Sequence, residues 1–250
     1  MNNFKLGIQL YTVREELVSN FKRTLIDLKQ LGFEGVEFAL DYGNLDPEQL
    51  AAFLVDAGLE TYGIYATLDS LTDPSDSVFA YAMALNCKYL TCGIPEDVLK
   101  KDFSSCLAKL KIADKIAASK GLKLCYHAHA YEFDKFDSRN YIDIILKETN
   151  LLFEADTAWI HAGGENIKSY LEKYKDKIHL LHIKDMTKDL DYIELGAGVI
   201  DFDDIIDFAC TSKVKWLGYE QDFSKIGEMQ SARKSISFIK NRINKHACLI

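Results

Sequence analysis

Short apolar runs alternate with longer stretches of helical periodicity along the whole chain, and no other sequence feature restricts the fold as much. The predicted strands lie near residues 4–11, 33–38, 59–66, 87–92, 122–129, 151–156, 178–185 and 214–220. Each is followed by a predicted helix, near residues 15–31, 46–57, 74–85, 103–119, 138–147, 166–174, 203–210 and 230–244. Gly32, Gly58 and Gly121 mark helix ends, because glycine readily adopts the left-handed conformation found there.

Repeated strand–helix pairs with no linker or change of composition predict a single α/β domain, a (β/α)8 TIM barrel that covers residues 1–250. The chain length of 250 residues is ordinary for this fold. An open doubly wound sheet is the alternative. Its dinucleotide-binding form requires a Gly-x-Gly-x-x-Gly turn after the first strand, where this chain has Tyr11-Thr12-Val13-Arg14.

Bulk properties exclude several classes of protein. The net charge is −8, and the basic residues do not cluster, which argues against a protein that binds nucleic acid. No run of about 20 apolar residues predicts a membrane span, and no secretion signal is recognisable, so we expect a cytoplasmic protein. The six cysteines show no metal-binding or disulfide spacing and are expected to be reduced, mostly structural thiols; they are Cys87, Cys92, Cys106, Cys125, Cys210 and Cys248.

The last four predicted strands end in polar side chains. In strand order these are His127 and His129, Glu154 and Asp156, His182 and Lys184, and Glu220, with Glu132 in the loop after the fifth strand. Side chains two positions apart share a face of a strand, and a closed barrel points the carboxyl ends of its strands at one mouth. Imidazole nitrogens and carboxylate oxygens are ligands of divalent cations. The pattern therefore predicts a metal site at the mouth of the barrel.

Structural roles compete with this interpretation. A single histidine at a strand end is more often a hydrogen-bonded core residue than a ligand, and a single aspartate there often caps the next helix. Four such ends in succession are much harder to explain as caps. Lys184 is either a counter-ion of Glu154 or Asp185 or a group that contacts substrate. Trp159 either closes the barrel or forms an aromatic wall for a sugar ring.

Several segments together resemble the sugar phosphate isomerase/epimerase family, the xylose-isomerase-like barrels. They are residues 7–14, residues 32–38, Tyr126-His127-Ala128-His129 with Glu132-Phe133, Asp156-Thr157-Ala158-Trp159, His182-Ile183-Lys184-Asp185 and Tyr219-Glu220-Gln221-Asp222. Each segment is weak alone, but their order and spacing are typical of the family. The resemblance covers nearly the whole chain.

The resemblance implies one divalent cation, Mn, Mg, Co or Zn, held by Glu, Asp, His and Glu from strands five to eight. Asp156, His182 and Glu220 match three of these ligands. The fourth position is occupied by His127, and Glu132 follows five residues later. We assign Glu132 as the fourth ligand, with His127 in its place as the alternative.

The implied activity is that of a metal-dependent sugar isomerase or epimerase that acts on a sugar, sugar phosphate or keto-sugar through an enediolate. We assign acid/base roles to Glu132, Glu220, His127 and His129, and substrate contacts to Lys184, Gln9, Glu37 and Trp159. A keto-sugar dehydratase or lyase of the same barrel family is the alternative, because a histidine at the strand-five position suits elimination equally well.

Alternatives from other classes remain at this stage. A non-catalytic carbohydrate-binding barrel would bind sugar without proton exchange. A DNA-repair endonuclease would need a basic groove, and a metal-dependent amidohydrolase would need a histidine pair on the first strand. The expected partner is a small sugar, with no nucleic acid and no membrane. Members of the family that the chain resembles often form homo-oligomers, and no feature of this sequence decides between a monomer and a homo-oligomer.

Overall fold

The computed structural model describes residues 4–247, and eight of the strands in this part of the chain form a closed parallel barrel. Four two-residue strands form two antiparallel pairs outside the barrel, Lys135–Phe136 with Arg139–Asn140 and Asp185–Met186 with Tyr192–Ile193. The barrel strands are β1 Lys5–Gln9, β2 Gly35–Ala39, β3 Glu60–Tyr65, β4 Tyr89–Cys92, β5 Lys123–His127, β6 Leu152–Asp156, β7 Ile178–Ile183 and β8 Trp216–Tyr219. Each strand pairs with the next in the chain, and β8 pairs with β1. The predicted (β/α)8 barrel is confirmed, and the open doubly wound sheet is wrong.

Helices connect successive strands and cover the outside of the barrel. They are α1 Arg14–Leu31, α2 Pro47–Ala57, α3 Leu68–Thr72, α4 Ser77–Ala84, α5 Glu96–Lys101, α6 Phe103–Ser119, α7 Tyr141–Glu148, α8 Thr157–Ala162, α9 Ile167–Lys173, α10 Phe202–Thr211 and α11 Glu228–Ala247. Short 3₁₀ turns follow β1 and β5, at Leu10–Val13 and Ala130–Phe133. The sequence did not predict the short helices α3, α5 and α8.

The ends of the first two long helices follow from their local chemistry. Asp46 accepts a hydrogen bond from the backbone N–H of Gln49, and the Gln49 side chain accepts one from the N–H of Asp46. This capping box, with Pro47 in the first turn, begins α2. Gly32 and Gly58 end α1 and α2 with φ of 100° and 68°, a region that other residues enter at a cost.

Inside the barrel, the inward-facing side chains of β5 and β7 change from apolar at the amino-terminal end to polar at the carboxyl end. Tyr62, Cys125, Leu180 and Trp216 form a small buried cluster, in which the rings of Tyr62 and Trp216 stack with centroids 5.0 Å apart. The residues two positions further along three of these strands are His127, His182 and Gly218. Strand alternation therefore places an apolar floor beneath the polar mouth.

Among the described residues, Cys87, Cys92, Cys106 and Cys125 are buried, and with Cys210 they are all free thiols, as expected. Cys248 lies outside the described part of the chain. None of the helices within residues 4–247 is both long and apolar enough to cross a lipid bilayer.

Candidate active site

Four side chains from successive strand ends meet at the barrel mouth. His127, Asp156, His182 and Glu220 each contribute one ligand atom, and these atoms all lie within 4.8 Å of one another. His127 Nε2 is 3.6 Å from Asp156 Oδ2 and 3.8 Å from Glu220 Oε2. His182 Nδ1 is 3.0 Å from Glu220 Oε2. We call these four residues the mouth cluster.

The mouth cluster fits a divalent cation. Each of the four atoms is buried and accepts or donates no hydrogen bond of good geometry within the described structure. A buried polar atom that makes no hydrogen bond costs about 1–3 kcal/mol. The Lys184 ammonium offsets part of this cost at Asp156 and Glu220, but four such atoms in one place still indicate a role besides folding. Ligands about 2.1 Å from a tetrahedral metal lie ~3.4 Å from each other, close to the separations seen here. Two imidazoles with two carboxylates suit Zn, Co or Mn better than Mg.

Asp156 uses its two carboxylate oxygens differently. Oδ1 accepts hydrogen bonds from the backbone N–H groups of Ala158 and Trp159, at 2.9 and 3.0 Å, and so begins α8. Oδ2 faces the mouth cluster. Burial would raise the pKa of Asp156, but the Lys184 ammonium and the His127 imidazole lower it below its ordinary value. The carboxylate is therefore ionised and ready to bind a cation.

Lys184 is completely buried beside the mouth cluster. Its Nζ lies 3.2 Å from Asp156 Oδ2, 3.0 Å from Glu220 Oε2 and 2.8 Å from Asp222 Oδ2. It also lies over the ring of Trp159, at 4.9 Å from the centroid. Burial lowers the pKa of Lys184, but the three carboxylates outweigh it and raise the pKa well above its ordinary value. Lys184 is thus a permanent cation that neutralises the acidic mouth.

The counter-ions predicted for Lys184 are wrong. Asp185 instead accepts hydrogen bonds from the backbone N–H groups of Gly196 and Gly198, at 2.8 and 3.0 Å, and fixes the loop after β7. Glu154 points at His182. Asp222 makes the shortest contact with Lys184 and was missed as its partner, although it follows Glu220 by two positions, just beyond the end of β8.

The other edge of His182 contacts two buried glutamates. Nε2 lies 2.7 Å from Glu37 Oε2 and 3.3 Å from Glu154 Oε1. Both carboxyl groups are completely buried beneath the mouth cluster. Burial, and then the charge of Glu37, raise the pKa of Glu154 well above its ordinary value. The structure therefore does not place Glu37 where the predicted contact with substrate could occur, because the His182 ring lies between them and the mouth.

Glu132 does not join the other predicted ligands. Its carboxylate accepts hydrogen bonds from the Tyr126 hydroxyl and from the backbone N–H of His129, both at 2.8 Å. Burial raises the pKa of Glu132 to about 8. The expectation that Glu132 reaches the metal ligands is therefore not met in this structure, which brings His127 to the mouth cluster instead.

Hydrogen bonding determines which nitrogen of His129 carries a proton. The Tyr131 hydroxyl donates its only proton to the carbonyl of Ile94, at 2.6 Å. Its oxygen lies 3.2 Å from His129 Nδ1 and must therefore accept from it, which leaves Nε2 as the basic nitrogen. Burial, together with the charges of His127 and Lys184, lowers the pKa of His129 to about 3. His129 is thus a neutral imidazole with a free lone pair.

A cavity of about 320 Å³ opens above the mouth cluster. It is bordered by His127, His129, Gln9, Tyr65 and Asp222, among other residues. None of the described residues that line it is a lysine or arginine. A larger groove of about 610 Å³ lies beside this cavity and shares Leu40 and Tyr65 with it, but it contains no member of the mouth cluster. The smaller cavity is therefore the candidate site.

Of the remaining predicted substrate contacts, Gln9 borders this cavity and Trp159 does not. Gln9 borders it, and its side-chain oxygen accepts a hydrogen bond from the backbone N–H of Tyr11 at 3.1 Å. Trp159 is half-buried, and its ring centroid is 5.5 Å from that of His129. Trp159 thus stands behind the imidazole that borders the cavity.

Comparisons with known proteins agree with this architecture. Two curated inosose dehydratases match parts of the chain. The protein from Histophilus somni is 28% identical over 157 residues, which is 50% of this chain and 50% of that protein. The chain therefore spans about half the length of this curated relative.

Solved structures match over a greater length. A sugar phosphate isomerase/epimerase from Parabacteroides distasonis has a TM-score of 0.78 at 19% identity, covering 96% of this chain and 94% of that chain. The IolI protein, solved with a zinc atom, has a TM-score of 0.73 at 16% identity, covering 97% and 99%. At these identities the likeness is one of fold. The sequence model of the xylose isomerase-like TIM barrels matches residues 25–242, and the chain belongs to that family.

Proposed function

We propose that this protein is a divalent-metal-dependent enzyme that moves a proton at a carbon beside the carbonyl of a keto-sugar, with isomerisation or epimerisation as the outcome. One observation carries the proposal. The ligand atoms of His127, Asp156, His182 and Glu220 are buried, make no hydrogen bond of good geometry in the described structure and lie close together beneath a cavity of sugar size.

These four residues would hold the cation. The IolI structure, which contains zinc, supports a metal in this fold, and the donor set favours Zn, Co or Mn. Glu132, the ligand assigned from the resemblance, is replaced in this proposal by His127. A bound cation would supply Lewis-acid stabilisation of the negative charge that develops on substrate oxygens during proton transfer.

His129 is the proposed base. It borders the cavity, and its Nε2 lone pair is free because Tyr131 occupies Nδ1. A base must be unprotonated at working pH and within reach of the proton that it removes. Glu220 also borders the cavity and is the proposed second acid/base group. Glu132 accepts a hydrogen bond from the backbone N–H of His129 and so fixes the turn from which the His129 imidazole borders the cavity.

The lining of the cavity favours an unphosphorylated substrate. A phosphate group carries about two negative charges and is usually bound by arginine, lysine or a row of backbone N–H groups. The residues that border this cavity include two carboxylates, Glu220 and Asp222, and no lysine or arginine among those the structure describes. Lys184 is engaged by three carboxylates and buried. A neutral keto-sugar or keto-cyclitol would therefore be preferred over a sugar phosphate.

Dehydration is the second candidate. Epimerisation in one site requires two groups on opposite sides of the reacting carbon, whereas elimination requires one base and one acid near the leaving hydroxyl. The strand-five position carries a histidine rather than a glutamate, and two adjacent imidazoles, His127 and His129, lie with ring centroids 5.0 Å apart. The match to inosose dehydratases also favours this outcome.

The test combines metal analysis with proton exchange. We expect about one Zn, Co or Mn per chain after loading, and entry of solvent deuterium into a carbon beside the carbonyl when ketoses, inososes and 3-keto-glycosides are screened. An unsaturated ketone product would identify the dehydratase.

A pair of histidine variants provides the control. His182→Ala should lose metal and exchange while keeping the circular dichroism of the parent. His179→Ala, on the opposite face of β7, should keep both, since His179 contacts Tyr89 and not the mouth cluster. A fully active, metal-free His182→Ala protein would refute the proposal.

A further inference from the structure

Glu37 lies in the middle of β2, on the far side of His182 from the mouth cluster. Its Oε2 is 2.7 Å from His182 Nε2, the shortest contact that the imidazole makes. The carboxyl group is completely buried, and neither Glu37 nor the neighbouring Glu154 borders the cavity. The proposed chemistry therefore does not use Glu37 directly, although the sequence had marked it as a substrate contact.

Two neighbouring strands leave room for this contact. Gly63 on β3 is the register partner of Glu37, and a Cβ there would lie 3.1 Å from the Glu37 carboxyl carbon. Gly218 on β8 is the register partner of His182, and a Cβ there would lie 3.2 Å from the imidazole Cδ2. A side chain at either position would crowd the pair. The backbone is thus built to accommodate Glu37 against His182.

The 2.7 Å contact between Glu37 Oε2 and His182 Nε2 is a hydrogen bond, and the two atoms are not ligands of a second cation. Two atoms bound to the same tetrahedral metal lie ~3.4 Å apart, whereas 2.7 Å is the length of a charge-assisted N–H···O bond. Glu154 is 3.3 Å from the same nitrogen and makes no hydrogen bond of good geometry with it in the described structure. Glu37 is therefore the group that fixes the proton on Nε2.

The position of that proton determines what His182 can do at the mouth. An imidazole binds a metal through an unprotonated nitrogen, so a proton held on Nε2 leaves Nδ1 as the ligand. Nδ1 is the nitrogen that faces Glu220 in the mouth cluster, at 3.0 Å.

We propose that Glu37 is a positioning residue that fixes the proton of His182 on Nε2 and so directs Nδ1 to the divalent cation. This inference rests on the proposed metal site. Glu37 touches neither substrate nor cation, and it acts through the charge and direction of one hydrogen bond. Outer partners of this kind typically contribute 10–100-fold to metal affinity.

The test compares three variants of the full-length protein. Glu37→Gln keeps a side-chain oxygen that accepts the Nε2 proton but removes the charge, and Glu37→Leu removes the acceptor. Glu228→Gln is the matched control, because Glu228 is buried and its carboxylate accepts backbone N–H groups of Glu15 and Glu16 at the start of α1. Zinc affinity is measured by calorimetry. The His182 ring protons are followed in ¹⁵N-histidine-labelled protein by NMR, with and without zinc.

The proposal predicts a graded response. Zinc affinity should fall about 10-fold in Glu37→Gln and about 100-fold in Glu37→Leu, and stay at the parent value in Glu228→Gln. A slowly exchanging Nε2 proton should be present in the parent and absent in Glu37→Leu. If Glu37→Leu does not fold, Glu37→Gln and the NMR signal of the parent still decide the matter.

Three results would overturn the inference. Zinc binding by both Glu37 variants at the parent affinity would show that no positioning occurs. Two zinc ions per chain, reduced to one in Glu37→Leu, would show that Glu37 is itself a ligand. A parent protein without any metal affinity but with a protected Nε2 proton would overturn the proposed function, and with it the role of Glu37 in metal binding, while the hydrogen bond itself would stand.

Discussion

Replacing Asp156 with asparagine separates two tasks that the structure gives to one carboxylate. Oδ1 caps α8 through the N–H groups of Ala158 and Trp159, and Oδ2 belongs to the mouth cluster. Asparagine keeps one oxygen for the cap but replaces the anionic oxygen with an amide. Alanine removes both. We therefore expect both variants to lose the metal, and only Asp156→Ala to lose the cap as well.

Loss of the helix cap and loss of the metal can both be expressed as changes in the melting temperature, Tm. A domain of 250 residues unfolds with an entropy of about 0.5 kcal/mol/K, from roughly 2.1 cal/mol/K per residue. A helix cap contributes about 1 kcal/mol, so metal-free Asp156→Ala should melt about 2 °C below Asp156→Asn. A cation at about 1,000 times its Kd stabilises the folded state by about 4 kcal/mol, which raises the Tm of the parent by about 8 °C.

Scanning calorimetry with and without zinc measures both effects. Asn166→Ala provides the control, since the Asn166 side chain caps α9 by accepting from Ser169 N–H at 3.0 Å and lies outside the mouth cluster. It should lose about 2 °C and keep the full zinc response. A zinc-induced rise in Asp156→Asn equal to that of the parent would refute the assignment of Oδ2 as a ligand. Equal metal-free Tm values for the two Asp156 variants would refute the separation of roles.

Two further predictions concern the barrel around the site. Burial raises the pKa of Glu132 to about 8, although the hydrogen bonds from Tyr126 and His129 partly oppose it. The folded state therefore keeps a proton that the unfolded state releases near its ordinary pKa of 4.5. The free energy of unfolding of the parent should therefore fall as the pH rises from 4.5 through about 8. Above pH 8 the parent should have lost up to about 5 kcal/mol relative to Glu132→Gln, which has no proton to release. Urea midpoints of both proteins at pH 5 and pH 9 check this, and parallel pH dependences would contradict it. A Cβ on Gly218 would lie 2.2 Å from the Tyr62 hydroxyl, so Gly218→Ala should cost about 1–3 kcal/mol, and adding Tyr62→Phe should restore part of it. No recovery in the double variant would show that the clash lies elsewhere.

The barrel could be predicted because its signals are local. Strand alternation, helix periodicity and glycine at helix ends each extend over a few residues, and they repeat along the chain. The short helices α3, α5 and α8 were missed because five or six residues are too few to show a helical period. The cap of α8 was visible as Asp156, but its role as a cap could not be separated from its role as a ligand.

Part of the site was also accessible from the sequence. Alternation placed His127, Asp156, His182 and Glu220 at the mouth, and the structure brings these four together. The preference for Glu132 came from the resemblance rather than from alternation. Glu132 lies in a 3₁₀ turn whose geometry returns its carboxylate to Tyr126 and the His129 backbone, and no local pattern predicts that return.

Contacts across the barrel could not be predicted. Glu37 and His182 are 145 positions apart, and they meet only because β2 and β7 face each other through the interior. Lys184 and Asp222 are 38 positions apart, and their contact depends on the pairing of the neighbouring strands β7 and β8. Alternation in a single sequence predicts which face of a strand a side chain occupies, but it does not predict which side chain from another strand it contacts.

The double use of Asp156 gives the protein an optical reporter of its own. The same carboxylate that faces the mouth cluster holds the backbone of Trp159, whose indole lies at 4.9 Å from the Lys184 ammonium. The only other tryptophan, Trp216, stacks on Tyr62 in the apolar floor. Indole emission depends on nearby charge and polarity, so a cation bound at the proposed site would change the fluorescence of Trp159, while Trp216 would supply a constant background. Titration of the unlabelled protein with zinc would thus report occupancy of the proposed site through its own emission.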